Sequence, residues 1–544
     1  MIIEKLLIRN YRVFHSLEVG FSDKLNIFVG ANDAGKTTLL DALSIVTSGR
    51  VGGLPFDSKQ LRLSTFNNDT AKGFSSLIAN GQRVELPKII IEAYFSDLPS
   101  LASYKGTNNE LKTNVPGLRV CAEFDDAYER IYSSMFSKGE IKTIPIEFYK
   151  VSYHYFSGEP VVQRHSPFKV VSIDTTRHDY SYVLNQFVLN NIDDLLSAEE
   201  LKLLSAAFRR YKHGFGNEKV IQGLNQRLHQ SVSVDNRDVS VDMAEGHLEE
   251  WKRQLSLVIG NDKYETLGFG TQNAVRVELA LRRSDSEITT VLIEEPENNL
   301  AYHRLSSLLG LIQTCEHRQI FMTTHSSYVA NCLGLKNVIF INGDNIKLFE
   351  SLEGETQDYF MKLPNYDTLR FVLSEKVVLV EGATDLLVLA RAYREEKGYD
   401  LALSGYDVIA VGSLSFSRYC EIARLMGRSI KVMMDNDGDK KANVDDKYCD
   451  YISKRVVEIF TDVNNANNTI EPSVLSVNCI SGSPTQEFRD AISAKQRKSM
   501  ANKSKDDILS FMIHNKAEWA YRILNSDTSI KFPSHVIQLV NKMH

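Results

Sequence analysis

Apolar and polar positions alternate in short runs through the first part of the chain, and these runs predict strands. Ile2–Ile8 and Leu17–Phe21 alternate in this way, which predicts two antiparallel strands joined by a short turn. Further strands are predicted by three similar runs: Val84–Phe95, Ile144–Phe156 and Phe168–Ile173. Gly49–Thr70 is rich in Gly, Ser, Asn and Asp, so we expect a surface loop there.

The period becomes helical from Tyr180 to about Ile259. Two segments place apolar residues at helical spacing, LNQFVLNNIDDLLSAEELKLLSAAFRRY and VIQGLNQRLHQ, and a strand-like run at Val232–Val241 interrupts them. We interpret this block as an inserted helical arm. Helices that cover a sheet, and an arm that forms a dimer or faces DNA, both fit the pattern. A basic cluster in the arm is most simply a solvated helix face: Arg209, Arg210, Lys212 and Lys219.

Composition narrows the class of protein. A chain of 544 residues is too long for one core, so we expect about two to four domains. The six scattered cysteines include no CxxC pair, which favours reduced thiols in a cytoplasmic protein rather than a zinc site. We see no signal peptide and no apolar run of bilayer length. Because the net charge is −6, any surface for nucleic acid must be local.

A buried strand predicted at Leu25–Val29 ends in a glycine-rich loop. The spacing Gly30-x4-Gly35-Lys36-Thr37 is the P-loop pattern, in which backbone N–H groups surround a phosphate, the lysine reaches the terminal phosphates and the hydroxyl joins a Mg²⁺ shell. The helix that follows turns its positive end towards the same charge. The residues predicted to bind ATP here are Asn32, Gly35, Lys36, Thr37 and Thr38.

A second apolar strand, Val291–Glu295, ends in two adjacent carboxylates. By strand alternation, Glu294 and Glu295 should point to opposite sides. We expect Glu294 to hold the Mg²⁺ shell and Glu295 to polarise the attacking water, which is the division of work that phosphoryl transfer needs. An exposed acidic turn is the structural alternative.

These pieces resemble the ATPases of the SMC and recombination-repair group, which begin with a strand, an Asn10-Tyr11-Arg12 turn, a strand and a P-loop. In this resemblance His325, after the predicted strand Gln319–Met322, is similar to the switch histidine of ABC-type ATPases, which senses the γ-phosphate. The alternative is a histidine with a purely structural role.

The segment from Leu267 to Gln272 resembles the ABC signature loop, which acts across a dimer on the partner's nucleotide. Gly270 and Gln272 fit that loop and are the residues predicted to contact the nucleotide. Gly268-Phe269 stand where a serine is usual, which departs from the pattern and puts hydrolysis across the dimer in question.

The last part of the chain alternates strands with helices, which implies a parallel sheet with its site at the carboxyl ends of the strands. The predicted strands are Lys376–Val380, Asp407–Val411 and Ser429–Met434. Glu381, Asp435 and Asp437 therefore converge on one edge, where oxygen ligands suit Mg²⁺ or Mn²⁺. An exposed acidic turn is one alternative. An EF-hand is another, but Lys440 and Asp446 stand where its Gly and Glu belong.

The run EGATD followed by a strand-borne DND resembles the Toprim signature of topoisomerases, primases and some nucleases. An ABC ATPase followed by a Toprim domain resembles the overcoming lysogenization defect (OLD) family, over nearly the whole chain. The resemblance implies an α/β fold: a P-loop ATPase with an inserted dimerisation arm, then a Rossmann-like parallel sheet. The boundaries we predict are 1–179 and 261–368 for the ATPase, 180–260 for the arm and 369–544 for the Toprim domain.

The OLD resemblance also implies a two-metal nuclease centre. Glu381 and Asp435 would bind one ion with Asp437 beside it, and the candidates for the second ion are Asp385, Asp439 and Glu471. The family's late lysine is best matched by Lys516, with Lys503 or Lys505 as alternatives. A basic tract that could follow a DNA backbone, or be a solvated linker, comprises Lys495, Arg497, Lys498, Lys503 and Lys505.

The resemblance thus implies a cytoplasmic, ATP-hydrolysing DNA endonuclease that needs Mg²⁺ or Mn²⁺, forms a dimer or larger homo-oligomer and acts in anti-phage defence. A partner such as a retron reverse transcriptase with its nucleic acid, or a helicase, would fit, and no membrane partner is expected. The alternative is an ATP-dependent DNA-binding or repair clamp whose Toprim domain does not cut. Topoisomerase, primase and transporter functions are disfavoured because we see no DNA-gate domain, zinc domain or membrane segment.

Overall fold

The computed structural model describes residues 2–543 except 162–168, 176–195, 232, 235–236, 244–250, 252–254, 256, 283–287, 316, 350–351, 364–366, 413–414 and 494–499. The beginning of the predicted arm, together with Lys495, Arg497 and Lys498, lies outside the described residues. Within the described ranges no helix is long and apolar enough to cross a membrane. All six cysteines are free thiols.

The N-terminal part begins with an antiparallel sheet and the P-loop strand. Its main elements in chain order are β1 (Ile3–Tyr11), β2 (Phe14–Gly20), β3 (Leu25–Val29), α1 (Lys36–Ser48), α2 (Asn68–Ala79), β4 (Ile89–Phe95), β5 (Val115–Phe124), α3 (Glu129–Ser137), β6 (Tyr149–Tyr155) and β7 (Lys169–Asp174). The sheet runs β2-β1-β4-β5-β6 with antiparallel pairing throughout. The two opening strands predicted from alternation are confirmed.

The middle of the chain supplies a second sheet and the helices around it. Its main elements are α4 (Ala198–Gly216), α5 (Lys219–Ser231), α6 (Phe269–Arg282), β8 (Ile288–Glu294), α7 (Tyr302–Gln313), β9 (Gln319–Thr323), α8 (Ser327–Leu333), β10 (Val338–Asn342), β11 (Asn345–Leu348), α9 (Gly354–Lys362) and α10 (Thr368–Leu373). The order is β7-β8-β9-β3-β10-β11, and every pairing except the last hairpin is parallel.

Helix α1 is packed between these two sheets. Its Leu39 and Leu43 are fully buried in a core that contains Ile91 of the antiparallel sheet and Phe28 and Phe321 of the parallel sheet. Because both sides of the helix face apolar side chains, even Thr47 is buried and turns its hydroxyl onto the carbonyl of Leu43. The P-loop therefore lies at the end of a rigidly held helix.

The C-terminal part is a four-stranded parallel sheet with helices on both faces. Its elements are β12 (Val377–Val380), α11 (Ala383–Lys397), β13 (Asp407–Ala410), α12 (Phe416–Met426), β14 (Ile430–Met433), α13 (Cys449–Ser453), β15 (Val457–Phe460), α14 (Ile470–Val477), α15 (Gln486–Ile492), α16 (Lys505–His514), α17 (Lys516–Leu524) and α18 (Ser534–Asn541). The order is β13-β12-β14-β15. The predicted parallel sheet and the α/β fold class are confirmed.

One continuous core joins the ATPase sheet to the C-terminal sheet. It runs from Ile27 and Val291 of the parallel ATPase sheet, past Phe371 of α10, to Leu379 of β12. The opposite face of the C-terminal sheet has a core of its own, in which Val378 and Val388 pack with Trp519. The parallel ATPase sheet and the C-terminal sheet are therefore in contact through packed side chains.

Several sequence predictions need correction. The segment Gly49–Thr70 is not a plain surface loop, because it forms a small hairpin (Arg50–Val51 with Leu54–Pro55) and buries Phe56 and Phe66. The strand predicted at Val84–Phe95 begins only at Ile89, and that predicted at Ile144–Phe156 begins only at Tyr149. Both late starts follow a proline, Pro87 or Pro145, which has no N–H to donate to a neighbouring strand.

The described part of the arm contains α4, α5 and a minimal hairpin, Ser233–Val234 with Arg237–Asp238. Helix α4 begins with a capping box in which Ser197 and Glu200 bond each other's backbone N–H. The basic residues Arg209, Arg210, Lys212 and Lys219 lie on these helices. Large apolar side chains of the arm are nevertheless exposed, among them Tyr211 and Val220.

Candidate functional site

The P-loop connects β3 to α1 as its sequence pattern predicts. Gly35 has a φ of 110°, a backbone conformation that a residue with a Cβ rarely adopts. A Cβ at Gly30 would lie 2.4 Å from the carbonyl oxygen of Ile341, so this position also requires glycine. The Lys36 ammonium donates to the carbonyls of Gly30 and Ala31 at 3.0 and 2.9 Å. Burial lowers the pKa of Lys36, a cost that a phosphate bound in the loop would relieve.

Glu294 ends β8 and meets the P-loop directly. The Thr37 hydroxyl donates to Glu294 Oε1. Burial raises the pKa of Glu294, and the carboxylates of Asp174 and Asp41 add to the effect. A buried carboxylate beside the P-loop hydroxyl has the donors that a Mg²⁺ ion uses when it is shared with a nucleotide.

Glu295 and Glu294 contact different groups, as predicted, but strand alternation is not the cause. Strand β8 ends at Glu294, and Glu295 has a left-handed φ of 44°, so strand alternation does not set its direction. Its Oε1 lies 3.1 Å from Nε2 of His325, and its Oε2 accepts a hydrogen bond of 2.9 Å from Asn298. The structure thus places the expected base beside the expected sensor of the γ-phosphate.

A third acid, Glu297, was missed by the sequence reasoning. One of its oxygens accepts hydrogen bonds from the Thr324 hydroxyl at 2.6 Å and from the His325 backbone N–H at 2.9 Å. Burial raises its pKa, and its other oxygen is buried without a hydrogen-bond partner. Glu297 therefore holds the loop that carries His325. The signal available in the sequence was a third acid in the run IEEPEN.

These groups surround one cavity of about 670 Å³. It is lined by Arg12, Val13, Asn32, Asp33, Gly35, Lys36, Thr37, Thr38, Glu295 and His325. The structure therefore brings together the P-loop residues and both catalytic candidates of the second half. Arg12 was not predicted to line the site, and its guanidinium forms an ion pair of 2.5 Å with Asp41.

The signature-like loop has roles within its own chain. A Cβ at Gly270 would lie 1.9 Å from the carbonyl oxygen of Asn299, so glycine allows this loop to approach the turn after the acidic pair. The Gln272 side chain is buried and donates to the carbonyls of Tyr264 and Leu267 at 3.0 and 2.9 Å. The contact of both residues with a partner's nucleotide stays a prediction.

The second site is at the carboxyl edge of the C-terminal sheet. Glu381 follows β12 and Asp435 follows β14, and these two strands are direct neighbours. Asp385 lies in the first turn of α11, where one of its oxygens accepts a hydrogen bond of 2.8 Å from the Gly382 N–H. Glu471 lies in the first turn of α14 and is 1% exposed. The fold thus gathers four predicted acids from four separate elements.

These acids repel one another. Burial, together with the charges of Asp385, Glu381, Glu471 and Asp437, raises the pKa of Asp435 to about 9. Burial and the neighbouring Glu381 and Glu471 raise the pKa of Asp385 to about 7. Oε1 of Glu471 is buried without a hydrogen-bond partner. Buried, mutually repelling carboxylates with a free oxygen fit a bound divalent cation, which would neutralise them.

The other predicted residues lie at different distances from this cluster. Asp437 has a φ of 51° and adds to the repulsion on Asp435. Asp439 is exposed, and its carboxylate accepts from the backbone N–H of Ala442. Lys516 is exposed at the start of α17. In the described part of the chain, no group of three or more His, Cys, Asp or Glu side chains is arranged so that it could hold a metal ion. The ligand roles therefore stay predictions.

Comparison with sequence families identifies the class of protein that these two sites define. The AAA ATPase domain family matches residues 1–204, and an AAA domain family described as a putative AbiEii toxin of a type IV toxin–antitoxin system matches residues 178–331. The OLD protein-like Toprim domain family matches residues 372–437. The chain thus combines a match to a P-loop ATPase domain with a later match to the Toprim domain of OLD-like proteins, which is the combination that the sequence motifs predicted.

Curated relatives match over limited segments. The Old nuclease of Escherichia phage P2 is 26% identical over 195 residues, which are 31% of this chain and 33% of that protein. The DNA replication and repair protein RecF of Bacteroides thetaiotaomicron is 44% identical over 62 residues, or 11% of this chain and 17% of that protein. The chain thus spans a third or less of the length of these relatives.

Two solved structures resemble the chain weakly. The SMC head domain from Thermotoga maritima aligns with a TM-score of 0.29 and 14% identity, covering 64% of this chain and 99% of that one. The recombination mediator RecF with ATP aligns with a TM-score of 0.31 and 11% identity, covering 64% and 99%.

Proposed function

We propose that this protein is an ATP-hydrolysing, divalent-metal-dependent DNA endonuclease whose ATPase controls a Toprim nuclease site. The observation that carries the proposal is the carboxylate cluster at the edge of the C-terminal sheet, where burial and mutual repulsion raise the pKa of Asp435 to about 9. Such a cluster is costly to fold unless it binds cations. The similarity to an Old nuclease adds support.

At the ATPase site each residue has a role that its contacts suggest. Lys36 would exchange its bonds with the loop carbonyls for the terminal phosphates, and Thr37 with Glu294 would hold Mg²⁺. Glu295 would orient and deprotonate the attacking water, and His325 beside it would respond to the γ-phosphate. Glu297 would keep His325 in place through its backbone N–H.

At the Toprim site the acids would bind Mg²⁺ or Mn²⁺. Glu381, Asp435 and Asp437 would hold one ion, and the residues proposed for a second are Asp385, Asp439 and Glu471. Bound metal supplies activation of water and neutralisation of the charge that develops on a phosphodiester. Lys516 is the proposed cation that stabilises this charge, although its exposed position leaves room for Lys503 or Lys505 instead.

Helix α10 offers a physical connection between the two sites. Its first backbone groups contact α8, the helix after His325: the Leu369 N–H donates to the Ser327 hydroxyl at 3.1 Å. The next residue, Arg370, donates to both oxygens of Asp407, the first residue of β13. A movement of the His325 loop on nucleotide binding would therefore be transmitted to the Toprim sheet, so we propose that ATP gates the nuclease.

The assembly and its biological partners follow from the family resemblance. We propose a homodimer or larger oligomer that binds DNA and acts in anti-phage defence in the cytoplasm. A retron reverse transcriptase with its nucleic acid, or a helicase, would be a suitable partner. The arm supports self-association because Tyr211 and Val220 are 66% and 75% exposed.

The proposal is tested by cleavage of supercoiled plasmid with Mg²⁺ or Mn²⁺, with and without ATP. We expect the wild-type protein to nick or linearise the plasmid and both Glu381→Ala and Asp435→Ala to lose this activity. Asp527→Asn, an exposed acid of the same domain, is the matched control and should cut normally. A wild-type protein that binds DNA in an ATP-dependent manner and leaves it intact in every condition would support the repair-clamp alternative, which the RecF similarity raises.

A further inference from the structure

Two loops meet at the carboxylate edge of the Toprim sheet and are joined by asparagine side chains. The first loop, residues 434–440, follows β14 and carries Asp435 and Asp437. The second, residues 461–469, follows β15 and leads directly into α14, which carries Glu471. We use the name asparagine lock for four side chains: Asn436 and Asn465 join the two loops, and Asn443 and Asn467 brace one loop each.

Asn436 is the centre of this lock and is 1% exposed. Its Nδ2 donates to three carbonyls of the second loop, those of Asp462 at 2.9 Å, Asn464 at 3.2 Å and Asn467 at 3.4 Å. Its Oδ1 accepts a hydrogen bond of 2.9 Å from the Gly438 N–H of its own loop. One buried amide thus satisfies backbone groups on both loops, a task that an apolar or acidic side chain cannot perform.

The flanking residues repeat the connection. The Lys440 N–H donates to Asn465 Oδ1 at 3.1 Å, and the Asp437 N–H donates to the Asn468 carbonyl at 3.1 Å. Asn443 closes the first loop by donating to the Asn436 carbonyl, also at 3.1 Å. The left-handed backbone of Asp437 is therefore held from both sides.

The far end of the lock reaches the helix that carries Glu471. Asn467 donates to Asp462 Oδ2 at 3.0 Å and to the Ser476 hydroxyl of α14 at 3.3 Å. The Thr469 hydroxyl donates to Glu471 Oε2 at 2.7 Å, which leaves the other oxygen of that carboxylate without a partner. A short chain of hydrogen bonds thus relates the position of Asp435 to that of Glu471.

We propose that Asn436 is a positioning residue for the metal site: through the asparagine lock it sets the separation between the Asp435–Asp437 loop and Glu471. This inference rests on the proposed metal-dependent function. Asn436 itself touches none of the reacting atoms, and its side chain is occupied by backbone groups. Its effect is on how well the carboxylates are arranged before a cation arrives, because repelling acids separate unless their loops are held.

The experiment is a calorimetric titration of the full-length protein with Mn²⁺ in the absence of DNA. We expect Asn436→Ala to weaken Mn²⁺ binding about 10- to 100-fold, the usual loss when a residue that orients metal ligands is removed. Asn465→Ala, an exposed position less able to disturb folding, should change affinity in the same direction by less. In plasmid nicking, the half-saturating Mn²⁺ concentration should rise with Asn436→Ala while the rate at saturating Mn²⁺ stays near that of the wild type.

Asn478→Ala is the matched control. Asn478 is also buried in this domain and makes hydrogen bonds to Val474 and to both backbone groups of Lys531, at the other end of α14. It should lower the melting temperature and leave the Mn²⁺ affinity unchanged. Folded Asn436→Ala and Asn465→Ala proteins that bind Mn²⁺ like the wild type, or an equal loss in Asn478→Ala, would overturn the inference. Identical titrations of the wild type and Asp435→Ala would instead remove the metal site on which it rests.

Discussion

Two acidic residues of the candidate sites have an unusual backbone conformation. Glu295 and Asp437 both have a left-handed φ, of 44° and 51°; Glu295 directly follows β8, and Asp437 lies in the loop after β14. Such a conformation costs energy for a residue with a side chain and persists where the surroundings enforce it. At Glu295 it accompanies the contact of the carboxylate with His325.

The contact of Glu295 with His325 leads to a prediction for ATP hydrolysis. Glu295→Gln keeps the size of the side chain and removes its ability to accept a proton. We expect hydrolysis to fall about 100-fold or more, with ATP binding retained because the P-loop is unchanged. Nucleotide binding and phosphate release can be measured on the same protein. Glu4→Gln, at an exposed position of β1, should hydrolyse normally, and a Glu295→Gln protein with full activity would exclude Glu295 as the base.

The burial of His535 leads to a prediction about the stability of the folded protein at acid pH, independent of catalysis. Burial lowers its pKa to about 4, against the attraction of nearby Asp462. The unfolded chain therefore binds more protons than the folded chain between about pH 6.5 and 4, so stability falls as the pH drops through this window. The full shift is worth about 3 kcal/mol.

We expect His535→Gln to flatten this dependence, as measured by chemical denaturation of the full-length protein at a series of pH values. His514→Gln changes an exposed histidine on α16 and should leave the wild-type slope in place. An unchanged slope in His535→Gln would show that other groups cause the acid sensitivity.

Among the elements, α10 is placed to connect the ATPase to the Toprim sheet. Its Thr368 hydroxyl donates to Asn331 of α8 in a buried contact of 2.6 Å, and its C-terminal end is bound by the Arg428 guanidinium, which donates to the carbonyls of Val372 and Ser374. The helix is short but held at both ends. These contacts attach α10 to α8 on one side and to the C-terminal part on the other.

This arrangement predicts that Arg370→Ala uncouples the two activities. The substitution removes the paired hydrogen bonds to Asp407 and leaves both sites intact. We expect ATP hydrolysis and ATP-free nicking to stay close to wild-type rates, while the effect of ATP on nicking is reduced. Arg83→Ala, which breaks an exposed ion pair with Glu129 of α3, is the control. Full ATP control in Arg370→Ala would contradict the role of α10.

At the scale of the whole molecule, the inserted arm is the part whose exposed apolar side chains are not explained by the structure of one chain. Leu203 and Val220 are 62% and 75% exposed on α4 and α5, which is unusual for large apolar side chains on helices. If the arm forms the dimer, Leu203→Asp combined with Val220→Asp should reduce the mass measured by light scattering to that of one chain.

Leu403→Asp, at a position 74% exposed in the Toprim part, should leave the oligomer unchanged. A double arm variant that remains an oligomer but binds DNA less tightly would favour the DNA-facing alternative for the arm.

The sequence by itself determined the elements whose cause is local. Alternation predicted β1 and β2, the spacing of Gly30, Gly35 and Lys36 predicted the P-loop, and the β-branched runs predicted the parallel Toprim strands, because side-chain period and glycine geometry act over a few residues. The order of motifs was enough to indicate the OLD family. Prolines already present in the sequence would have corrected the starts of β4 and β6.

Only the tertiary structure decided which groups meet. Arg12 and Glu297 join the ATPase site, and Asn436 joins the Toprim loops, through contacts between residues far apart in the chain. The direction of Glu295 depends on a backbone angle that strand alternation does not give. The raised pKa of Asp435 likewise comes from its burial and from the charges of acids on other elements, Asp385, Glu381 and Glu471. Local pattern fixes an element, but burial and charge arise only when distant elements pack together.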